Sequence, residues 1–159
     1  MRPQIILGIA IVFFLFVPLG GFANIFPLFV IGLIVSGIGF ILYAIFVRER
    51  EDQYKWVYWL HRSVVFGIGC LAFVAGTYNS LDLPAYFKKE YDTIQGIPTE
   101  IIYYEPSRGE ITGTFSITID GEIFSIDRRL GQGVEDLENR MFTIRYLPRS
   151  KWIIDYEMK

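Results

Sequence analysis

From Pro3 to Val47 the chain carries no charged side chain, a run of 45 residues. A single straight helix of that length would measure about 67 Å, roughly twice the hydrocarbon thickness of a bilayer. The run therefore enters a membrane and turns back inside it. A second uncharged run, Ser63–Leu81, follows a short charged stretch. The chain reads as a multi-pass membrane protein with a polar second half.

The corner of the long run is Pro18-Leu19-Gly20-Gly21-Phe22-Ala23-Asn24, which combines a helix breaker, two glycines and the one amide in mid-run. That placement predicts transmembrane helices over about 4–20, 25–47 and 56–78. The first is short and can continue past Pro18, because neighbouring groups in a membrane helix take up the freed carbonyl. Residues 1–79 then form the membrane unit, 80–96 a juxtamembrane connector and 97–159 a small domain. Trp56, Trp59, His61 and Arg62 at the start of the third helix fit a membrane interface, where amphipathic rings and snorkelling cations collect.

Three spans put Arg2, Arg48, Arg50, Lys55 and Arg62 on one face and leave Lys88 and Lys89 near the other. The positive-inside bias predicts a cytoplasmic N-terminus and an extracytoplasmic second half in the cell membrane. A competing reading takes Met1-Arg2, apolar Ile5–Val17 and Gly21-Phe22-Ala23 as a signal peptide with its cleavage site. Both readings deliver the second half to the same face.

Residues 80–159 hold ten basic and fourteen acidic side chains. That mild acidity argues against nucleic acid as a partner, since phosphate binding needs clustered positive charge. Cys70 is the only cysteine, so no intrachain disulfide and no thiolate metal site can form. Small residues in the spans, Gly32 with Ser36 and Ala72 with Gly76, have the small-xxx-small spacing that lets helices approach closely. They serve packing within the chain or an interface with a membrane partner or second copy. No charged residue lies mid-membrane in any span, which leaves out the usual mark of an ion or proton path.

The connector mixes Leu81, Leu83, Tyr86, Phe87 and Tyr91 with charges. It reads either as an amphipathic stretch on the membrane surface or as a tether. Beyond it the apolar period becomes two. Thr99–Tyr104 reads as a first strand. Thr114–Ile119 places Phe115, Ile117 and Ile119 on one face, and Asp120-Gly121 is a preferred pair for a tight hairpin turn into Glu122–Ile126. Phe142–Tyr146 and Trp152–Tyr156 complete the set, the last with Trp152, Ile154 and Tyr156 on one face. The expectation is an SH3-like or OB-like barrel of about five strands.

Gly113, the Asp120-Gly121 turn with Phe124, and Tyr146-Leu147-Pro148-Arg149-Ser150-Lys151 carry a resemblance. On those residues the second half resembles small bacterial multi-pass membrane proteins with a juxtamembrane β domain. The resemblance implies an all-β module beside the membrane and no catalytic residue.

No candidate chemistry stands out. His61 is the one histidine and lacks a partner nearby in sequence. Glu135, Asp136 and Glu138 do not follow the spacing of a calcium loop. Gly131-Gln132-Gly133 lacks the third glycine of a dinucleotide fingerprint. Arg128, Arg129, Arg145, Arg149 and Lys151 form a basic patch only if Pro148 leaves its strand straight. The expectation is a non-catalytic, cofactor-free interaction module on a membrane anchor, with a bilayer and a membrane protein or second copy as partners. One alternative is an accessory subunit of a transporter or membrane enzyme. A second is a membrane hydrolase assembled from residues such as Ser107, Asp127 and Glu135.

Overall fold

Pro18 has no N–H to offer the carbonyl of Phe14, and the first helix loosens there without ending. In the computed structural model, which describes residues 2–48, 54–104, 114–127 and 137–159, α1 (Pro3–Phe14) and α2 (Phe16–Phe22) meet at Leu15. The turn falls later, at Ala23 and Asn24. Ile25 N–H donates to Gly20 O (2.8 Å) and Asn24 N–H to Gly21 O (3.2 Å), while Asn24 takes φ 51°. This is a Schellman end, with asparagine in the left-handed position that glycine most often fills. The mid-run amide thus has a backbone reason. The next helix, α3 (Phe26–Phe46), begins with Pro27 in its first turn, where a missing N–H costs nothing.

Two further helices follow, α4 (Lys55–Ser80) and the short α5 (Leu83–Lys88). Tyr86 of α5 packs on Phe26 at the start of α3, with ring centroids 5.8 Å apart. Three helical stretches, Pro3–Phe22, Phe26–Phe46 and Lys55–Lys88, are long and apolar enough to cross a membrane. The chain divides into two units, Met1–Phe87 and Lys88–Lys159.

Glycine seams hold the helical unit together. A Cβ added at Gly37 of α3 would lie 2.6 Å from Phe73 N, and one at Gly69 of α4 would lie 2.9 Å from Ile41 N. Backbone therefore meets backbone across α3 and α4. Two turns further along α4, Gly76 faces Ile34, and on the other side of α3, Gly39 faces Ala10 of α1 and Gly32 faces Phe13 and Val17. Many large apolar side chains point outward, among them Phe22, Leu71 and Val74, while Phe26, Val30 and Leu33 are buried.

The second unit is a pair of three-stranded antiparallel sheets. One is ordered β1 (Asp92–Gly96), β5 (Phe142–Tyr146), β6 (Ile153–Met158); the other is β2 (Glu100–Tyr104), β3 (Thr114–Ile119), β4 (Glu122–Asp127). Asp120 (φ 50°) and Gly121 (φ 80°) make the tight turn between β3 and β4, as their sequence demanded. Phe115, Ile117, Ile119, Phe124 and Ile126 of one sheet share a single core with Phe142, Ile144 and Tyr146 of the other. Leu137, in a 3₁₀ turn Leu137–Asn139, joins it.

Three details differ from expectation. The sheets are not closed into a barrel by strand pairing among the described residues; they form a small sandwich around a common core. The stretch read as a connector is divided: α5 belongs to the helical unit, and β1 is a strand of the sandwich, paired with β5. In β6 the core-facing set is Ile153, Tyr156 and Met158 rather than Trp152, Ile154 and Tyr156. The register slips by one between Arg145↔Asp155 and Tyr146↔Ile153, so a bulge changes the facing parity along the strand.

Gly69→Leu is expected to cost about 1–3 kcal/mol by forcing α3 and α4 apart. Gly67→Leu, where an added Cβ meets nothing within 4 Å, is expected to be neutral. Thermal unfolding of the purified protein in detergent separates the two. At the helix turn, Asn24→Gly is expected to be tolerated and Asn24→Val to lower the unfolding midpoint, because a β-branched residue resists positive φ.

Candidate functional site

Two side-chain clusters stand out, one in each unit. The first lies where the apolar part of α3 ends and α4 begins. Tyr58 OH donates to the Val47 carbonyl (3.0 Å), which α3 leaves without a helical partner, and Arg62 donates to Tyr58 OH (3.4 Å). The Arg62 guanidinium also lies 5.3 Å from the Trp59 ring centroid, in cation–π range. Tyr43 OH contacts His61 Nε2 at 3.3 Å, and their rings meet edge to face. Aromatic and basic groups thus tie the end of α3 to the first turns of α4.

Trp56 and Trp59 are exposed, at 67% and 57%, as rings seated among lipid headgroups would be. His61 and Arg62 belong to this cluster with Tyr58, which fits the same aromatic belt in the sequence, whereas Tyr43 has no signal there. A tyrosine near a helix end carries no distinctive spacing, so nothing linked Tyr43 to His61, 18 positions away. The packing candidates lie in the seams of the chain's own helices. Gly32 faces α1 and α2, Gly76 faces α3, Ala72 is buried, and buried Ser36 donates back to Leu33 O (3.3 Å). Gly69, opposite Gly37, was missed; its neighbour four residues on is Phe73, so it lies outside any small-xxx-small pair in that direction.

The second cluster joins the two β hairpins. The loop between β5 and β6 closes with Leu147 N–H donating to Trp152 O (2.9 Å) and Lys151 N–H to Leu147 O (3.1 Å), and Lys151 takes φ 55°. That conformation directs Lys151 Nζ to both oxygens of Glu122 at 2.9 Å, and over the Tyr146 ring, 4.5 Å from its centroid. The hydrogen bond from Lys151 holds the Glu122 carboxyl below the ordinary carboxylate range, against an opposing effect of desolvation. The hydrogen bond to Glu122 lifts Lys151 above the ordinary lysine range. Burial lifts the Tyr146 phenol. All three groups are held in their usual neutral-pH charge states, so the cluster works as a clasp.

Three residues of the candidate basic patch are described. Pro148 does turn the chain, Arg145 pairs with Asp155 across the strands, and Lys151 is taken by Glu122. Arg149 has a partner of its own. Arg128 and Arg129 lie outside the described residues, as do Gly113, Ser107, the Gly131-Gln132-Gly133 loop, Glu135 and Asp136. Asp127 ends β4, and Glu138 is exposed in the 3₁₀ turn. Among the described residues, no group of three or more His, Cys, Asp or Glu side chains converges as a metal site would.

Comparison with protein-family models, with curated proteins and with solved structures gave no match.

The clasp sets a pH dependence. The Glu122 contribution is full above the ordinary carboxylate range and is lost as pH falls through its lowered folded value. The Lys151 contribution is full below the ordinary lysine range and is lost as pH rises through its raised value. Glu122→Gln is therefore expected to lower the unfolding midpoint slightly at neutral pH, less at high salt. Mutant and wild type are expected to converge as pH falls through the lowered folded value of Glu122, where the wild-type carboxylate also takes up its proton. Thermal unfolding across pH checks the convergence.

Proposed function

We propose that this chain is a multi-pass membrane protein that displays a small, non-catalytic β module for interaction on the extracytoplasmic face. The observation that carries the reading is the opposite sorting of apolar side chains in the two units. The helices meet at glycines and, although Phe26 and Val30 are buried, leave Phe22, Leu71, Val74 and many other large apolar side chains exposed, an arrangement suited to lipid. The sandwich buries Phe115, Ile117, Phe124, Phe142 and Ile144, an arrangement suited to water. Two solvents act on one chain, and the basic residues Arg2, Arg48, Lys55 and Arg62 favour the cytoplasm for the N-terminus.

A second reading, an accessory subunit of a larger membrane complex, is favoured by Ser63 and Gly67. They are four residues apart on α4, Ser63 is exposed, and open space lies at the Gly67 Cβ position. Such a place admits the close approach of a partner helix. Gly67→Leu is then expected to abolish co-purification with that partner while the chain's own stability stays unchanged. Unaltered assembly would remove this reading.

Sidedness is tested with single cysteines in a Cys70→Ser background. A cysteine at Ser150 is expected to react with a membrane-impermeant maleimide in intact cells. One at Arg48 is expected to react only after permeabilisation. The reverse pattern would place the β module in the cytoplasm. Mild cross-linking followed by affinity purification then tests for an interaction partner, and recovery of the chain alone counts against the module's proposed role.

A further inference from the structure

The first turn of α1 and the last turn of α3 border a cleft of about 790 Å³ at one end of the helical unit. Arg2, Gln4, Tyr43 and Arg48 supply its polar groups, and Pro3, Phe46 and Val47 its apolar wall. Two arginines, one at the start of α1 and one just after α3, thus line one space, and no acidic residue lines it among the described residues. The first turn of α1 carries no acidic residue and no side-chain cap, so the positive end of the helix dipole adds to the same field.

Depth decides what such a cleft meets. The first span begins at Pro3 and α3 ends at Phe46, so the cleft lies where apolar helix gives way to charge. That level is occupied by lipid headgroups. A site lined by both apolar residues and two arginines matches an amphiphile with acyl chains and a phosphate. Arginine is suited to the phosphate because its planar fork donates two parallel hydrogen bonds. Tyr43, held by its contact with His61, fixes one wall against α4.

We propose that this cleft is a binding site for the headgroup of an anionic phospholipid, with Arg2 and Arg48 as its phosphate ligands. The site is specific rather than a diffuse attraction between a basic protein face and an acidic leaflet. Arg62 provides the contrast. It lies at the same end of the bundle, but its guanidinium is engaged by Tyr58 and Trp59 and it does not line the cleft.

Native mass spectrometry of the full chain in detergent tests the proposal, with phosphatidylglycerol, phosphatidylcholine and inorganic phosphate as probes. One phosphatidylglycerol is expected to bind saturably, and phosphatidylcholine more weakly. Arg2→Gln and Arg48→Gln are each expected to weaken phosphatidylglycerol binding about fivefold, and the double variant about 30-fold. Arg62→Gln is expected to leave it unchanged. The double lysine variant keeps the charges and is expected to recover most of the binding, which separates lost binding from lost folding. Equal weakening by Arg62→Gln would overturn the site in favour of diffuse attraction. Displacement of the lipid by an equal concentration of inorganic phosphate would overturn the lipid as its ligand. None of these outcomes depends on which face of the membrane carries the N-terminus.

Discussion

Apolar helices in lipid gain little by burying leucine against leucine, because the surrounding acyl chains are equally apolar. What draws them together is close backbone approach, and in this chain that approach rests on Gly37 and Gly69. Each would place a Cβ against the backbone of the opposite helix. The rest of the helical unit is arranged around that contact. Gly76 continues the seam toward the far end, while Gly32 and Gly39 let α1 and α2 dock on the other side of α3. The Tyr58 and Arg62 hydrogen bonds then close the end where the seam runs out.

The β unit obeys the opposite rule. Its strands alternate, and one face of each sheet goes into a shared core of aromatic and branched side chains. A sandwich of this size has little core to spare. The polar clasp of Lys151, Glu122 and Tyr146 lies at the hairpin ends, where an ion pair contributes modestly and mainly fixes which loop meets which.

Much of this architecture was legible in the sequence, because the strongest signals are local. An uncharged run has a length, and strict alternation has a face. Asp120-Gly121 has a turn type. The helix turn at Asn24 was legible as a place, although its mechanism came from backbone hydrogen bonds rather than from Pro18. What remained hidden depends on partners far apart in the chain. The bulge in β6 reassigns its core face, and only the register with β5 reveals it. The Lys151–Glu122 pair joins residues 29 positions apart. Gly69 matters because of Gly37 on another helix, and no spacing within α4 reports that. The cleft between Arg2 and Arg48 exists only because α1 and α3 run antiparallel and end at the same level.

The pairing of β1 with β5 sets an order of events in the life of the chain. Asp92, shortly after the helical unit, finds its partner in Tyr146, on a strand that follows three others in the chain. The strand that emerges first must therefore wait, unpaired, until β2, β3, β4 and then β5 have been synthesised. If that half is exported, it crosses the bilayer as an open chain and cannot be drawn out by stepwise folding from its leading edge. A chaperone or the membrane surface would have to shelter β1 in the interval, which makes biogenesis, rather than equilibrium stability, the stage most exposed to failure.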